Sequence, residues 1–284
     1  MSKRGMSKRV GIIGCGTIGS ELAFAVDEGK VKNASIVSLF DAADHAALSL
    51  GSKLRSSNPH TFTDFSKFIA SSSFRDTDII VESASQDAVN RFSKKIVEQG
   101  KSLIVMSVGA LADPLLLSEL LDTASHSSSR IYVPTGAIAG IDAIRSVRQL
   151  LDSVVLTTTK NPRALADAPF FNMTRIDVNA ITEKTIIYEG SAADAVKQFP
   201  TNVNVAAILS LAGIGIERTK VKIIVDHYTS MNQHEIAANG KFGEMIISVR
   251  NIPSPTNPKT SFLAVLSAIE CLRSACDDSI RIGT

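Results

Sequence analysis

A short apolar strand that runs into three spaced glycines constrains this chain more than any other feature. Val10-Gly-Ile-Ile13 leads into Gly14-Cys15-Gly16-Thr17-Ile18-Gly19, and a helical pattern carrying Leu22, Ala23 and Val26 starts inside the motif. Glycine triplets of this spacing arise by chance. Set between a strand and a helix, they predict the phosphate-binding turn of a dinucleotide fold. Gly14 permits the tight turn, Gly16 lets backbone approach a pyrophosphate, and Gly19 allows the helix to pack closely on the strand. The amides around Thr17 and Ile18, with the positive end of the helix dipole, then hold the diphosphate without a lysine.

Such a turn is completed by an acid about 20 residues on, at the end of the second strand, for the ribose hydroxyls. Asp41 stands there, after Ile36-Val-Ser-Leu-Phe40. No arginine lies beside it in sequence, and Asp44 is near, so a 2′-phosphate would be repelled. NAD is therefore expected over NADP, with NADP the second choice.

The first half keeps this rhythm. Strand-like runs at 10–13, 35–40, 78–82, 102–106 and 130–133 alternate with helical periodicity at 17–28, 42–54, 86–98 and 114–123. Apolar runs separated by helices of this length predict an α/β fold, a Rossmann-type doubly wound parallel sheet. Ser125 to Ser129 read as a surface loop, and a further helix is expected over 141–151. Beyond it the pattern turns mixed: strands at 153–159, 185–188, 220–225, 235–238 and 244–249, helices at 191–197 and 203–212. This is a second, α+β domain. The expected boundaries are 8–140 and 141–258. Residues 251–259 read as a proline-rich connector, and a closing helix within 259–276 returns to the first domain.

Composition narrows the function classes. A formal charge of +2, 5% aromatics and no Trp argue against a nucleic-acid binder. The basic start is followed by an apolar run broken by Gly11 and Gly14, a poor secretory signal, and no stretch is long enough to span a membrane. Cys15, Cys271 and Cys276 are too few and scattered for a disulfide framework or a zinc site, which fits a cytoplasmic protein. Packing is their simplest role, with oxidation of Cys15 a minor hazard to cofactor binding.

Five histidines are candidates for acid–base work. His45 falls in the expected helix after Asp41, and His60 and His126 fall in polar loops. His227 ends an apolar run, and His234 precedes a β-like one. An imidazole near its ordinary 6.5 both accepts and donates protons at neutrality. Spacing alone leaves His227 and His234 in competition, and the gap between them matches no metal-ligand pattern, so no metal is assigned.

Longer motifs carry a resemblance. Glu82-Ser-Ala-Ser-Gln86, Ser107-Val-Gly-Ala-Leu-Ala-Asp113, Pro134-Thr-Gly-Ala-Ile-Ala-Gly-Ile-Asp-Ala143, Tyr188-Glu-Gly-Ser-Ala192, Phe199-Pro-Thr-Asn-Val-Asn-Val-Ala-Ala207, the stretch 226–243 and Asn257-Pro-Lys-Thr-Ser261 resemble the L-aspartate dehydrogenase family. The resemblance runs from about Arg9 to the final helix; the leader before Lys8 lies outside it, and Met6 is an alternative start. It implies an NAD(P)-dependent oxidoreductase converting L-aspartate to iminoaspartate, which hydrolyses to oxaloacetate and ammonia or feeds quinolinate and NAD synthesis. It also implies a homodimer built through the second domain. Its catalytic histidine falls on His234, its nicotinamide-contacting alanine on Ala137, and cofactor contacts on Ala84, Ser85 and Asn204. Thr135 stands where a serine is usual.

Within that reading His234 accepts the amine proton and later aids water attack on the imine. Glu235, its neighbour on a strand, points to the other face. Small residues at Gly136, Ala137 and Ala139 leave room for the nicotinamide ring. Asn202 caps the helix after it. Lys160, Arg163, Lys259 and Thr135 are unranked anchors for the substrate carboxylates. The alternatives are a reductase of another small carboxylate or imine, and a dinucleotide-binding regulator without turnover.

Overall fold

The computed structural model describes residues 7–200, 204–255 and 257–277. Met6, Asn202 and the side chain of Lys259 lie outside the described part. The described chain forms two compact units, 7–134 with 265–277, and 135–264.

In chain order the first unit holds β1 (Lys8–Ile13), α1 (Thr17–Asp27), β2 (Ala34–Phe40), α2 (Ala46–Gly51), β3 (His60–Phe62), α3 (Phe65–Ala70), α4 (Ser72–Asp76), β4 (Ile79–Glu82), α5 (Gln86–Glu98), β5 (Ser102–Val105), α6 (Pro114–Ser127) and β6 (Ile131–Tyr132). All six strands are parallel, in the order β3-β2-β1-β4-β5-β6. The expected doubly wound sheet is present, and the winding reverses between β1 and β4. The carboxyl ends of those two strands are where such folds take ligands. Val10, Ile12, Ile80 and Val81 are fully buried, as central parallel strands require.

Three local expectations are corrected. His60 lies in an edge strand, β3, although it is exposed there. The helix expected over 42–54 is reduced to α2, because the Asp41 carboxylate accepts the Ala43 N–H at 2.8 Å and bends the chain until His45, at φ 68°, releases it. Ser125, His126 and Ser127 form the last turn of α6, since Thr123 and Ser127 donate hydroxyls to carbonyls four residues back. Helices α3 and α4 were unexpected. They are short, capped by Asp64 and Ser71, and cover a phenylalanine cluster in which Phe40 stacks on Phe68 at 5.7 Å.

The second unit contains α7 (Ile141–Val147), β7 (Leu151–Lys160), α8 (Pro169–Thr174), β8 (Thr185–Ser191), α9 (Ala192–Gln198), α10 (Asn204–Ala212), β9 (Lys220–Val225), β10 (Asn232–Gly240), β11 (Gly243–Asn251), β12 (Pro253–Ser254) and β13 (Asn257–Ser261). The sheet order β11-β10-β7-β9-β8 makes β7 the central strand, parallel to β9 and antiparallel to β10. One face buries Val154, Leu156, Val221, Ile223, Ile236 and Ala238. On the other, Glu235 and Asn239 are exposed, together with Ile246 (72%) and Ile186 (55%).

Here too the expectations shift. The helix expected over 141–151 is α-helical to Val147 and tightens to a 3-10 turn over Arg148–Leu150, and Leu151 already belongs to β7. The connector at 251–259 is mostly ordered as the β12–β13 ribbon. The units divide between Pro134 and Thr135, not after residue 140, because the Ala137 loop is tied to the second sheet. Helix α11 (Phe262–Cys276) starts in the second unit. From Val265 it belongs to the first, where Ala268 and Leu272 join the core of Val10, Leu22 and Val26.

Candidate active site

The glycine turn is built by backbone geometry and held by side chains around it. Gly14 has φ +89°, and a Cβ there would stand 2.6 Å from the Ala84 amide. At Gly19 a Cβ would lie 1.9 Å from the Gly14 carbonyl, so only hydrogen fits where α1 approaches β1. Gly16 opens onto free space and caps α1 without any side-chain hydrogen bond. The first-turn amides at Thr17 and Ile18 are thus left for an anion.

Asp41 reaches the same turn. Its Oδ2 accepts the Cys15 N–H at 2.7 Å. Ser83 closes the other side, donating its hydroxyl to the Gly14 carbonyl at 2.9 Å. Cys15 is an inert thiol: burial, then the charge of Asp41, pushes it up to about 12.

Sequence reasoning quoted Glu82 in a motif but gave it no task. The structure does: Oε1 accepts the Ala84 N–H (2.8 Å), the Ser85 N–H (3.0 Å) and the Ser107 hydroxyl (2.8 Å), while Oε2 accepts the Ser107 N–H (3.0 Å). Burial raises its pKa against the pull of those donors. One carboxylate thereby fixes the loops after β4 and β5, Ala84 and Ser85 included. A carboxylate closing an apolar strand at the ligand end of a parallel sheet is the signal that could have found it.

A cavity of about 380 Å³ opens beside this turn, lined among others by Gly14, Asp41, Asp64, Ala84, Ser85 and Arg91. Arg91, far from Asp41 in sequence, shares the cavity, but its guanidinium lies on Asp87 at 3.3 Å. Three carboxylates, Asp41, Asp64 and Asp87, line it beside that one cation. The room at Gly16, the open helix start and the acid at the strand end fit the diphosphate and ribose diol of a dinucleotide.

In the second unit a polar cluster sits at one end of the otherwise apolar sheet face. His234 is 3% exposed, and its Nδ1 lies 3.0 Å from the Thr158 hydroxyl, its cross-strand partner. Burial, then the charge of Lys160, lowers its pKa to about 3. The ring is therefore neutral throughout the ordinary pH range. Lys160 follows Thr158 by two residues on the central strand and is 7% exposed; burial lowers it to about 8. Asn232 and Asn251 face each other across β10 and β11, both buried. Asn251 donates its amide to the Ala137 carbonyl at 2.8 Å, and Asn232 donates to the Ser261 hydroxyl at 3.2 Å.

The remaining named residues are placed as follows. Ala137 is buried in the loop before α7, Asn204 is half-buried at the first position of α10, and Thr135 is exposed. His45, His126 and His227 are exposed, as are Arg163 and Glu235. His227 turns away from the competition into a surface turn, where its carbonyl accepts from Asn161. Among the described residues no group of three or more His, Cys, Asp or Glu is arranged to hold a metal. No helix among them is long and apolar enough to cross a membrane.

Comparison with known proteins assigns both halves. The family described as "Aspartate dehydrogenase, C-terminal" matches residues 142–275, and "Homoserine dehydrogenase, NAD binding domain" matches 14–134. The L-aspartate dehydrogenase of Nitrosopumilus maritimus is 43% identical over 277 residues, covering 98% of this chain and 100% of that protein. That of Methanosarcina barkeri is also 43% identical, with 97% and 99% coverage. Among solved structures, the aspartate dehydrogenase of Thermotoga maritima superimposes with a TM-score of 0.75 at 27% identity, over 97% of this chain and 99% of that one. An amine dehydrogenase of Mycobacterium smegmatis, at 14% identity and a TM-score of 0.55, shares the fold.

Proposed function

The chain belongs to the L-aspartate dehydrogenase family of NAD(P)-dependent oxidoreductases, and we propose that it oxidises L-aspartate to iminoaspartate with His234 as the acid–base group and NAD as the preferred cofactor. The observation that carries this reading is a neutral, buried imidazole whose Nδ1 is engaged by the Thr158 hydroxyl. When Nδ1–H donates to that hydroxyl, the Nε2 lone pair is left to act as the base.

The α-ammonium of an amino acid must lose a proton before its carbon can give up a hydride. His234 Nε2 takes that proton and releases it to solvent, and the freed lone pair later draws one from the water that attacks the imine. Bound NAD(P) supplies the hydride acceptor at C4 of its nicotinamide. Gly14, Gly16, Thr17, Ile18 and Gly19 hold the diphosphate, and Asp41 takes the ribose diol. Ala84 and Ser85, fixed by Glu82, border the same cavity. Ala137 and Asn204 hold the nicotinamide end. The three acids lining the cavity favour a diol over a 2′-phosphate.

The imine then hydrolyses to oxaloacetate and ammonia or is consumed in quinolinate and NAD synthesis. The chain works as a homodimer in the cytoplasm. The open sheet face with Ile186 and Ile246 supports the first statement, and three free thiols support the second. The test is reduced-cofactor formation with L-aspartate, L-glutamate, L-alanine, L-malate and D-aspartate, each with NAD and NADP. Turnover of L-aspartate with NAD ahead of NADP is expected. Turnover of malate alone would defeat the amine chemistry, and cofactor binding without turnover would make the chain a regulator.

A further inference from the structure

The cavity beside the glycine turn holds a charge pair that neither the turn nor the chemistry above uses. Among the described residues that line it, Arg91 is the one cation. Two of the three carboxylates there are committed to backbone amides. Asp41 accepts from Cys15 and Ala43 at 2.7 and 2.8 Å, and Asp64 accepts from Lys67 at 2.8 Å. Asp87 is instead engaged by the Arg91 guanidinium at 3.3 Å, one turn along α5. Both side chains are exposed, Arg91 by 65% and Asp87 by 72%.

An exposed ion pair four residues apart on a helix is weak and easily exchanged. A guanidinium on a phosphate is stronger, because two parallel N–H groups can meet two of its oxygens. Arg91 is seated for such an exchange. Its Cζ lies 5.0 Å from the centre of the Phe92 ring, which stacks on Phe65 at 3.8 Å, and both rings line the cavity. That cation–π contact keeps the guanidinium at the cavity wall when its carboxylate partner lets go.

We infer that Arg91 is this chain's acceptor for the 2′-phosphate of NADP, and that Asp87 restrains it, so that the pair sets how far NADP is tolerated beside NAD. This rests on the reading of the cavity as the ribose-diol end of a dinucleotide site and adds a second determinant of coenzyme choice to Asp41. The two acids act differently. Asp41 favours the diol and repels a phosphate; Asp87 occupies the cation that a phosphate would need. With NAD bound, Arg91 stays on Asp87. With NADP it trades that carboxylate for the phosphate, and Asp87 remains nearby as a like charge.

The experiment measures dissociation constants for NAD and NADP by titration calorimetry, on the full-length wild type, Arg91→Met, Arg91→Lys and Asp87→Asn. Methionine keeps an apolar stem to lie against Phe92. Loss of one charge-assisted contact should raise the ratio of the NADP constant to the NAD constant by about 10- to 150-fold in Arg91→Met. Arg91→Lys, a point charge without the fork, should fall between that variant and wild type. Asp87→Asn should lower the ratio by about 3- to 10-fold, since it frees the arginine and removes a like charge. Equal weakening of both coenzymes in Arg91→Met would make Arg91 a general cofactor or fold contact and overturn the inference. An unchanged ratio in Asp87→Asn would overturn it as well, and both results leave the cofactor reading intact. Tighter binding of NADP than NAD by wild type, lost in Arg91→Met, would keep Arg91 as the acceptor and remove the NAD preference. No binding of either coenzyme by wild type would remove both readings.

Discussion

Keeping Lys160 charged inside the fold has a measurable energetic signature, separate from any catalysis. Burial moves its pKa from 10.5 to about 8. At about 1.36 kcal/mol per pH unit, that displacement corresponds to about 3 kcal/mol working against the folded state at neutral pH. Methionine has a similar reach, no charge and a polarizable thioether that fills irregular space. Lys160→Met should therefore stabilise the protein, by about 1–3 kcal/mol once the polar contacts it gives up are allowed for. In urea this is a rise in midpoint of about 0.5–1 M. The effect also carries a pH signature. Between pH 8 and 10.5 the unfolded chain retains a proton that the folded chain has released, so wild-type stability climbs across that window. Lys160→Met lacks this climb, so the gap between the two midpoints should close across that window and reverse near pH 10.5 by the worth of the contacts given up. Urea titrations at pH 7, 8.5 and 10 measure both effects. A lower midpoint for Lys160→Met at pH 7, or a gap that does not change with pH, would refute the reasoning.

The other predictions concern the site itself. His234→Ala should lower turnover by at least about a hundredfold while NAD affinity barely moves; near-normal turnover would pass the role to His227 or to solvent. Because the His234 ring is neutral above about pH 3, kcat/KM of the wild type should show no acid limb from an imidazole near 6.5, and a limb that disappears in His234→Ala would contradict this. Asp41→Ala should weaken NAD more than NADP, as read from dissociation constants; equal weakening would remove the argument for NAD. Asn251→Ala frees the Ala137 carbonyl at a cost of about 1–3 kcal/mol and should depress kcat more than it raises the KM for L-aspartate, whereas an unchanged kcat would detach that bond from function.

How far the sequence could be read depended on where burial came from. Helix α5 and strand β9 fall where their patterns put them, because each carries its own caps or alternation. The three-residue β3 has too few positions to show a period, and α3 and α4 depend on the Asp64 and Ser71 caps more than on a long apolar stripe. At the site, the glycine turn and Asp41 were legible because their spacing is local. Lys160 was not. Before Asn161-Pro162 it looks like a solvated residue entering a loop, and it is buried only because β10 and β9, far along the chain, close on both sides of β7. Asn251 was hidden for the same reason: its partner, the Ala137 carbonyl, is 114 residues away.

The bond from Cys15 to Asp41 bears on how a chain like this can diverge. The carboxylate expected to discriminate between coenzymes is also the latch of the turn that carries them. Drift toward the phosphorylated coenzyme by simple loss of the acid would slacken that turn in the same step. An asparagine or serine at position 41, still able to accept the Cys15 N–H, offers the gentler route, and ancestors of any relative that changed preference should have passed through one.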